Sequence, residues 1–227
     1  MGSCLWIGLP ARRRARCARR EIGPDDLLSQ IPALVPVPEA VLRRAAIHEA
    51  GHAVVGLELD VGELVHVEIK DTFDPSGCEE QRGGGAGFDR PFLAERTRQQ
   101  FLDAVTTRLA GLAAEEIVLG HRAGGGGGGK GSDLHEATRL ALQFEASYGL
   151  ESGLTYLSGP TDQELLVALH MDGDLWKRVE GIPGAEFDRA KRLVVTIRPT
   201  LAKVADELFE RRKLMADEVR AIAGKTS

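Results

Sequence analysis

The chain has 227 residues, 28% of them charged, and a formal net charge of −5, so it is long enough for a substantial core and its surface as a whole is no platform for nucleic acid. Its three cysteines, Cys4, Cys17 and Cys78, are odd in number and lack paired spacing, which argues against a disulfide framework or a cysteine-ligated zinc and fits a reducing, cytoplasmic compartment. No apolar run reaches the ~18 residues that a bilayer-crossing helix needs.

Arg12, Arg13, Arg14, Arg16, Arg19 and Arg20 crowd the first twenty residues. Such a cluster can attract nucleic acid or anionic lipid, but no aromatic residue is interleaved with it to stack on bases. No apolar segment follows it to complete a secretory signal, and an organelle-targeting leader stays open as a reading. The expectation for residues 1–38 is a basic arm built on a solvated helix.

Residues 41–57 show helical spacing of apolar residues with no proline, and they enclose His48-Glu49-Ala50-Gly51-His52. Two imidazoles four apart point the same way and can grip one metal ion. Glu49, beside the first of them, can reach a water on that metal and take its proton. The same five residues also permit a plainer reading, in which Glu49 is solvated and the two histidines are satisfied by hydrogen bonds. A metal site needs a third ligand from elsewhere.

Residues 63–69 alternate apolar and polar side chains as a half-exposed strand does, Asp74-Pro75-Ser76-Gly77 has turn chemistry, and residues 83–88 supply a second, irregular strand. Pro91 can open the next helix, whose stripe of Phe101, Val105, Leu109 and Leu112 ends near Gly120. Glu115 and Glu116 read as a second acidic site, as solvated surface, or as a hydrogen bond to a neighbouring loop. His121 reads as an ordinary loop residue, and His66 and His170 have no ligand spacing.

The unbroken glycine run 124–129 is costly to order, and a mobile loop is expected there. With Lys130 it nearly matches G-x-x-x-x-G-K, but Gly131 occupies the place of the magnesium-binding hydroxyl and a helix precedes it, so no phosphate loop is expected. Asp133 opens the next helix and is the preferred third ligand, leaving the fourth position of a catalytic metal for water. Asp133 with Glu136 is also a capping-box spacing, and His135 and Glu136 are rival ligands. Ala137, Ala141, Phe144 and Tyr148 line that helix, and Gly149 is placed to end it.

Thr161 to Glu164 starts a short capped helix, interrupted at Asp172-Gly173-Asp174. Phe187, Ala190, Val194, Ile197, Leu201, Val204 and Leu208 then recur at helical spacing, with Pro199 expected to kink or split the helix near Arg198. A terminal helix is expected over residues 215–222. The fold class is mainly α, with one small sheet or hairpin near the motif helix.

Several of these segments together resemble, in order and spacing, the peptidase domain of the FtsH-type ATP-dependent zinc proteases. They are His48 through Gly56, residues 109–120, Asp133-Leu134, Ala137-Thr138 and Tyr148-Gly149-Leu150, and the likeness covers about residues 40–155, more weakly to 222. The resemblance implies a helical zinc-peptidase domain over residues 39–222 with a tail at 223–227. It implies zinc held by His48, His52 and Asp133, with Glu49 as general base and later proton donor. It also implies unfolded or damaged polypeptides as substrates, held along a sheet edge, and a homo-hexamer or an ATPase partner. Residues 11–28 resemble the closing helix and exit turn of an ATPase lid.

The chain departs from the family in two ways. Its polyglycine run replaces a short mixed loop, and about forty residues ahead of the peptidase are too few for the ATPase module. The expectation is either a fragment of a longer enzyme or a peptidase served by a separate motor. Three function classes follow: a zinc metalloendopeptidase, a non-proteolytic peptide-binding or assembly module on the same fold, and a nucleic-acid binder using the arginine arm. An intact Glu49 favours the first over the second, and the third is disfavoured by the overall charge.

Overall fold

A computed structural model describes residues 3–30, 33–75, 83–89, 97–150, 154 and 156–225, with side chains from residue 10 onward. In chain order the elements are α1 (Ser3–Cys17), α2 (Pro24–Leu28), β1 (Val35–Pro36), α3 (Glu39–Glu58), β2 (Glu63–Ile69), β3 (Thr72–Phe73), β4 (Gly84–Asp89) and α4 (Arg98–Leu119). A 3-10 turn (Gly124–Gly126) follows, then α5 (Asp133–Ala146), α6 (Asp162–Met171), α7 (Leu175–Val179), α8 (Gly181–Arg211), β5 (Lys213–Met215) and α9 (Ala216–Ala223). They divide into two compact units, residues 1–37 with 71–81 and residues 38–70 with 82–227.

In the smaller unit, α1 turns Ala11 and Ala15 inward and leaves Arg12, Arg13, Arg14 and Arg16 exposed. Pro24 sits in the first turn of α2, where its missing amide costs nothing. The buried carboxylate of Asp26 accepts two hydrogen bonds from the Arg20 guanidinium, at 2.6 and 2.7 Å, and one from the Gly23 amide at 2.9 Å. Strands β1 and β3 pair antiparallel, Val35 opposite Phe73. The arginine run therefore includes a residue with a structural partner, a pairing that composition alone did not signal.

In the larger unit, α3, α4 and α8 pack on one another, α5 packs on α4, and α6 and α7 pack on α5. Phe101, Val105, Leu109 and Leu112 are buried against Ala137, Leu140 and Phe144, as the apolar stripe predicts. Helix α4 starts with a reciprocal cap between Thr97 and Gln100. Pro91, the expected opener, lies outside the described residues. Gly149 adopts φ 59° just beyond α5, the left-handed conformation that ends a helix.

Helix α8 carries the expected buried face of Ala190, Val194, Leu201, Val204 and Leu208. Of the expected kink or split at Pro199, the split does not occur: the helix runs through it. Proline removes the amide that would bond the Val195 carbonyl, but Pro199 is exposed and Val195 is 58% exposed, so water can serve that carbonyl. Glu186 of α8 accepts from the Thr106 hydroxyl at 2.5 Å, and Arg189 bridges Glu186 at 3.1 Å and Asp103 at 2.6 Å, so α8 is tied to α4 by a polar clamp.

The sheet lies against α3. Strand β2 is central, with β4 and β5 antiparallel on its two sides. The expected two-stranded hairpin thus gains a third strand, Lys213–Met215, too short for its own alternation to stand out. Met215, placed by sequence in the terminal helix, instead precedes it, and its amide donates to Glu218 at 2.7 Å. A bulge between Leu64 and His66 interrupts the β2 register, so Leu64, Val67 and Ile69 are buried while Val65 is exposed. Among the described residues, no helix is long and apolar enough to cross a membrane.

Candidate metal centre

Helix α3 delivers His48 and His52 from consecutive turns, with their Nε2 atoms 3.0 Å apart. The first residue of α5, Asp133, places Oδ2 2.9 Å from the His48 Nε2 and 3.3 Å from the His52 Nε2. A tetrahedral ion with ~2 Å bonds holds its ligand atoms about 3.3 Å apart. The donor set is therefore of the right type and nearly the right spacing for a divalent metal, and these three residues form a group able to hold one ion.

Helix α4 fixes the orientation of both rings. The His52 Nδ1 lies 2.7 Å from the Thr107 carbonyl oxygen, and the His48 Nδ1 lies 2.8 Å from Glu115 Oε1. Each acceptor holds the proton on Nδ1 and so turns Nε2 toward Asp133. Glu115 is itself buried and braced, its Oε2 accepting from Arg44 at 2.6 Å and from the Ala123 amide at 2.8 Å. The loop hydrogen bond considered for Glu115 is present, whereas Glu116 pairs with Arg122 and Lys191 nearer the surface. Contact of Glu115 with His48 depends on how α3 crosses α4, which no spacing along the chain announces.

The electrostatics are those of a site that attracts positive charge. Burial opposes protonation of His48, but the hydrogen bonds its ring donates to Asp133 and Glu115 and the charge of Glu49 raise its pKa to about 10. Burial likewise works against the Asp133 carboxylate, yet the field and hydrogen bonds of His52 and His48 hold it well below the usual carboxylate range. Glu115 is also lowered: burial opposes ionisation, and His48, Arg44 and the Ala123 amide outweigh it. A divalent cation can take the place of the His48 Nε2 proton in this field.

Glu49 is 9% exposed and lines the same cleft of about 330 Å³ as His48, His52 and Asp133. Its carboxyl group lies against Gly84 of β4, where a Cβ would stand 3.0 Å from Oε1. Gly84, Gly85 and Ala86 form a wall of the cleft. Among the described residues, β4 is hydrogen-bonded to β2 alone.

The capping alternative for Asp133 is not what α5 uses. Ser132, not Asp133, is the N-cap and accepts from the His135 amide at 3.3 Å, which leaves the Asp133 carboxylate to face the histidines. The rival ligands stay out of the cluster: Glu136 pairs with Arg139 at 2.6 Å, and the His135 ring meets the Gly131 amide at 3.2 Å. The glycine run follows helix α4 and makes a 3-10 turn, so the strand that a phosphate loop requires is not there.

A family model, "Peptidase family M41", matches residues 37–222. "ATP-dependent zinc metalloprotease FtsH" of Pseudothermotoga lettingae is 29% identical over 92% of this chain and 35% of its own length. "ATP-dependent zinc metalloprotease FtsH 1" of Symbiobacterium thermophilum is 32% identical over 91% of this chain and 34% of its own, and FtsH of Thermus thermophilus is 30% identical over 92% and 34%. The chain spans about a third of the length of these relatives. With the family model covering residues 37–222 and relatives alike over nine-tenths of the sequence, the chain belongs to peptidase family M41.

Proposed function

We propose that this chain is a zinc metalloendopeptidase acting on unfolded or damaged polypeptides, with His48, His52 and Asp133 as the zinc ligands and Glu49 as the general base. The observation that carries the reading is the convergence of two Nε2 atoms from α3 and one carboxylate oxygen from α5, with a second, buried carboxylate, that of Glu49, in the same cleft. Zinc, when bound, supplies the Lewis acidity that makes water a competent nucleophile near neutral pH and polarises the scissile carbonyl.

The chain's own residues do the rest. Thr107 and Glu115 hold the two Nδ1 protons, so both imidazoles present their lone pairs inward. Glu49 removes the proton from the attacking water and returns it to the departing amine. The glycine-rich β4 wall gives an extended peptide main-chain groups to pair with, and such pairing tolerates varied side chains. Folded substrates need an ATPase motor, in the same polypeptide or on a partner, and the ring of six subunits implied by the resemblance belongs to this proposal, as does a cytoplasmic site of action.

The test is zinc-loaded protein offered an unfolded substrate such as casein. Cleavage is expected to stop with a chelator and to fall at least about 100-fold in Glu49→Gln while zinc stays bound. Stoichiometric zinc without cleavage would overturn the reading in favour of a peptide-binding module.

A further inference from the structure

Arg108 has no place in the chemistry above, yet it lines the same cleft as His48, Glu49, His52 and Asp133. Arg108, Gly111 and Glu115 are spaced i, i+3 and i+7 on α4, so they share one face, and the other two members of that face serve His48. The Arg108 Nε is sealed from solvent and, among the described residues, has no hydrogen-bond partner. An unsatisfied buried donor calls for an explanation in a native structure.

Four other half-buried arginines of this unit have carboxylate partners close by: Arg44 has Glu115, Arg139 has Glu136, Arg178 has Asp172 and Arg189 has Asp103. Among the described residues, Arg108 has no carboxylate in ion-pair contact. Its charge helps to lower the Glu136 carboxyl, though that group is already committed to Arg139. A planar cation held in a partly shielded cleft, with no described carboxylate in contact, is suited to a carboxylate that arrives from outside, because guanidinium and carboxylate can share two parallel hydrogen bonds.

We propose that Arg108 is a specificity-determining residue that engages a carboxylate of the bound polypeptide, either an acidic side chain near the scissile bond or a free C-terminus. The inference rests on the peptidase reading for its substrate class. A small reorientation of the guanidinium on engagement would also give the buried Nε its missing acceptor. Neutral main-chain contacts to β4 then hold the peptide, and Arg108 selects among sequences.

Two matched peptide pairs test this: one differing only by Glu against Gln beside the scissile bond, the other only by a free against an amidated C-terminus. Wild-type kcat/KM is expected to favour the charged member of one pair by about tenfold or more, and which pair it is identifies the source of the carboxylate. In Arg108→Gln the ratio should fall to within about twofold of unity, and in Arg108→Glu a Lys-for-Glu peptide should become the better substrate. Arg108→Lys, which keeps the charge and loses the fork, should lower the ratio at least threefold and serves if the Gln variant does not fold.

Ratios near unity for both pairs in the wild type, or a ratio unchanged in the variants, overturn the assignment. Binding of the same labelled peptides to zinc-loaded Glu49→Gln protein, read by fluorescence anisotropy, separates the two claims. Discrimination in binding without any cleavage by the wild type sinks the peptidase reading and keeps Arg108; cleavage without discrimination does the reverse.

Discussion

Gly111 lies against the imidazole of His48 so closely that a Cβ on it would fall 2.5 Å from Nε2 and 2.6 Å from Cδ2 and Cε1. The ring occupies the space that any other residue would fill, and its position decides where Nε2 points. Gly111→Ala should therefore displace the first imidazole. The fold should lose about 1–3 kcal/mol by overpacking, and zinc affinity should drop more than that change in stability explains. Competition with a chromogenic chelator, alongside thermal melts, measures both. Unchanged affinity would show that the ring relaxes without moving Nε2.

Glu115 acts on the same ring from its other side. Replacing it by Gln removes the charge that Arg44 and His48 share while keeping a carbonyl acceptor of the same size. Outer partners of metal-bound histidines are typically worth 10- to 100-fold in affinity or activity. Glu115→Gln is expected to weaken zinc within that range and to recover most of its cleavage when zinc is saturating, since Glu49 is untouched. Activity that stays low at full occupancy would give Glu115 a role beyond positioning.

The smaller unit carries its own pH dependence. Hydrogen bonds from Arg20 and then from the Gly23 amide outweigh burial and hold Asp26 at a pKa of about 2, below the ~3.9 of an unfolded aspartate. A lowered pKa means the unfolded state binds the proton more readily, so this contribution is complete above the unfolded value and drains away as pH falls from there through about 2. Amide exchange of the α2 turn should rise across that window in the wild type. Asp26→Asn should be loosened at neutral pH and show no such step. A flat profile in the wild type would mean that Asp26 contributes nothing titratable to this unit.

The parts of the site that were legible in the sequence are those fixed by short covalent spacing. His48 and His52 share a face because a helix repeats every 3.6 residues, and Glu49 comes with them. Asp133 lies more than eighty residues away and became the preferred ligand through its place at a helix start and through the family resemblance. The placement of Thr107, Gly111 and Arg108 at the cleft depends on the crossing of α3 and α4, which no local spacing announces, and Glu115 reads in the sequence only as one of several acids. The polar character of Arg108 within an apolar helix was the available signal. Strand β5 escaped notice because three residues cannot display a period, and its pairing with β2 is a tertiary fact.

Pro199 shows the opposite case, a helix that a local rule expects to be kinked or split and that context keeps from splitting. Interior proline normally costs a helix ~3 kcal/mol or more through a lost hydrogen bond and a clash with the carbonyl four residues back. In α8 the buried residues flank it, with Val194 and Leu201 fully inside, while Pro199 itself faces water. Burial on either side holds the helix together, and solvent takes over the carbonyl that proline leaves behind. The strain should still be present as a cost. Pro199→Ala is expected to raise stability by about 1–3 kcal/mol in denaturant melts, with no change in zinc affinity or peptide cleavage. A destabilised variant would mean that the ring makes packing contacts worth more than the hydrogen bond it removes, and that the helix is shaped around it.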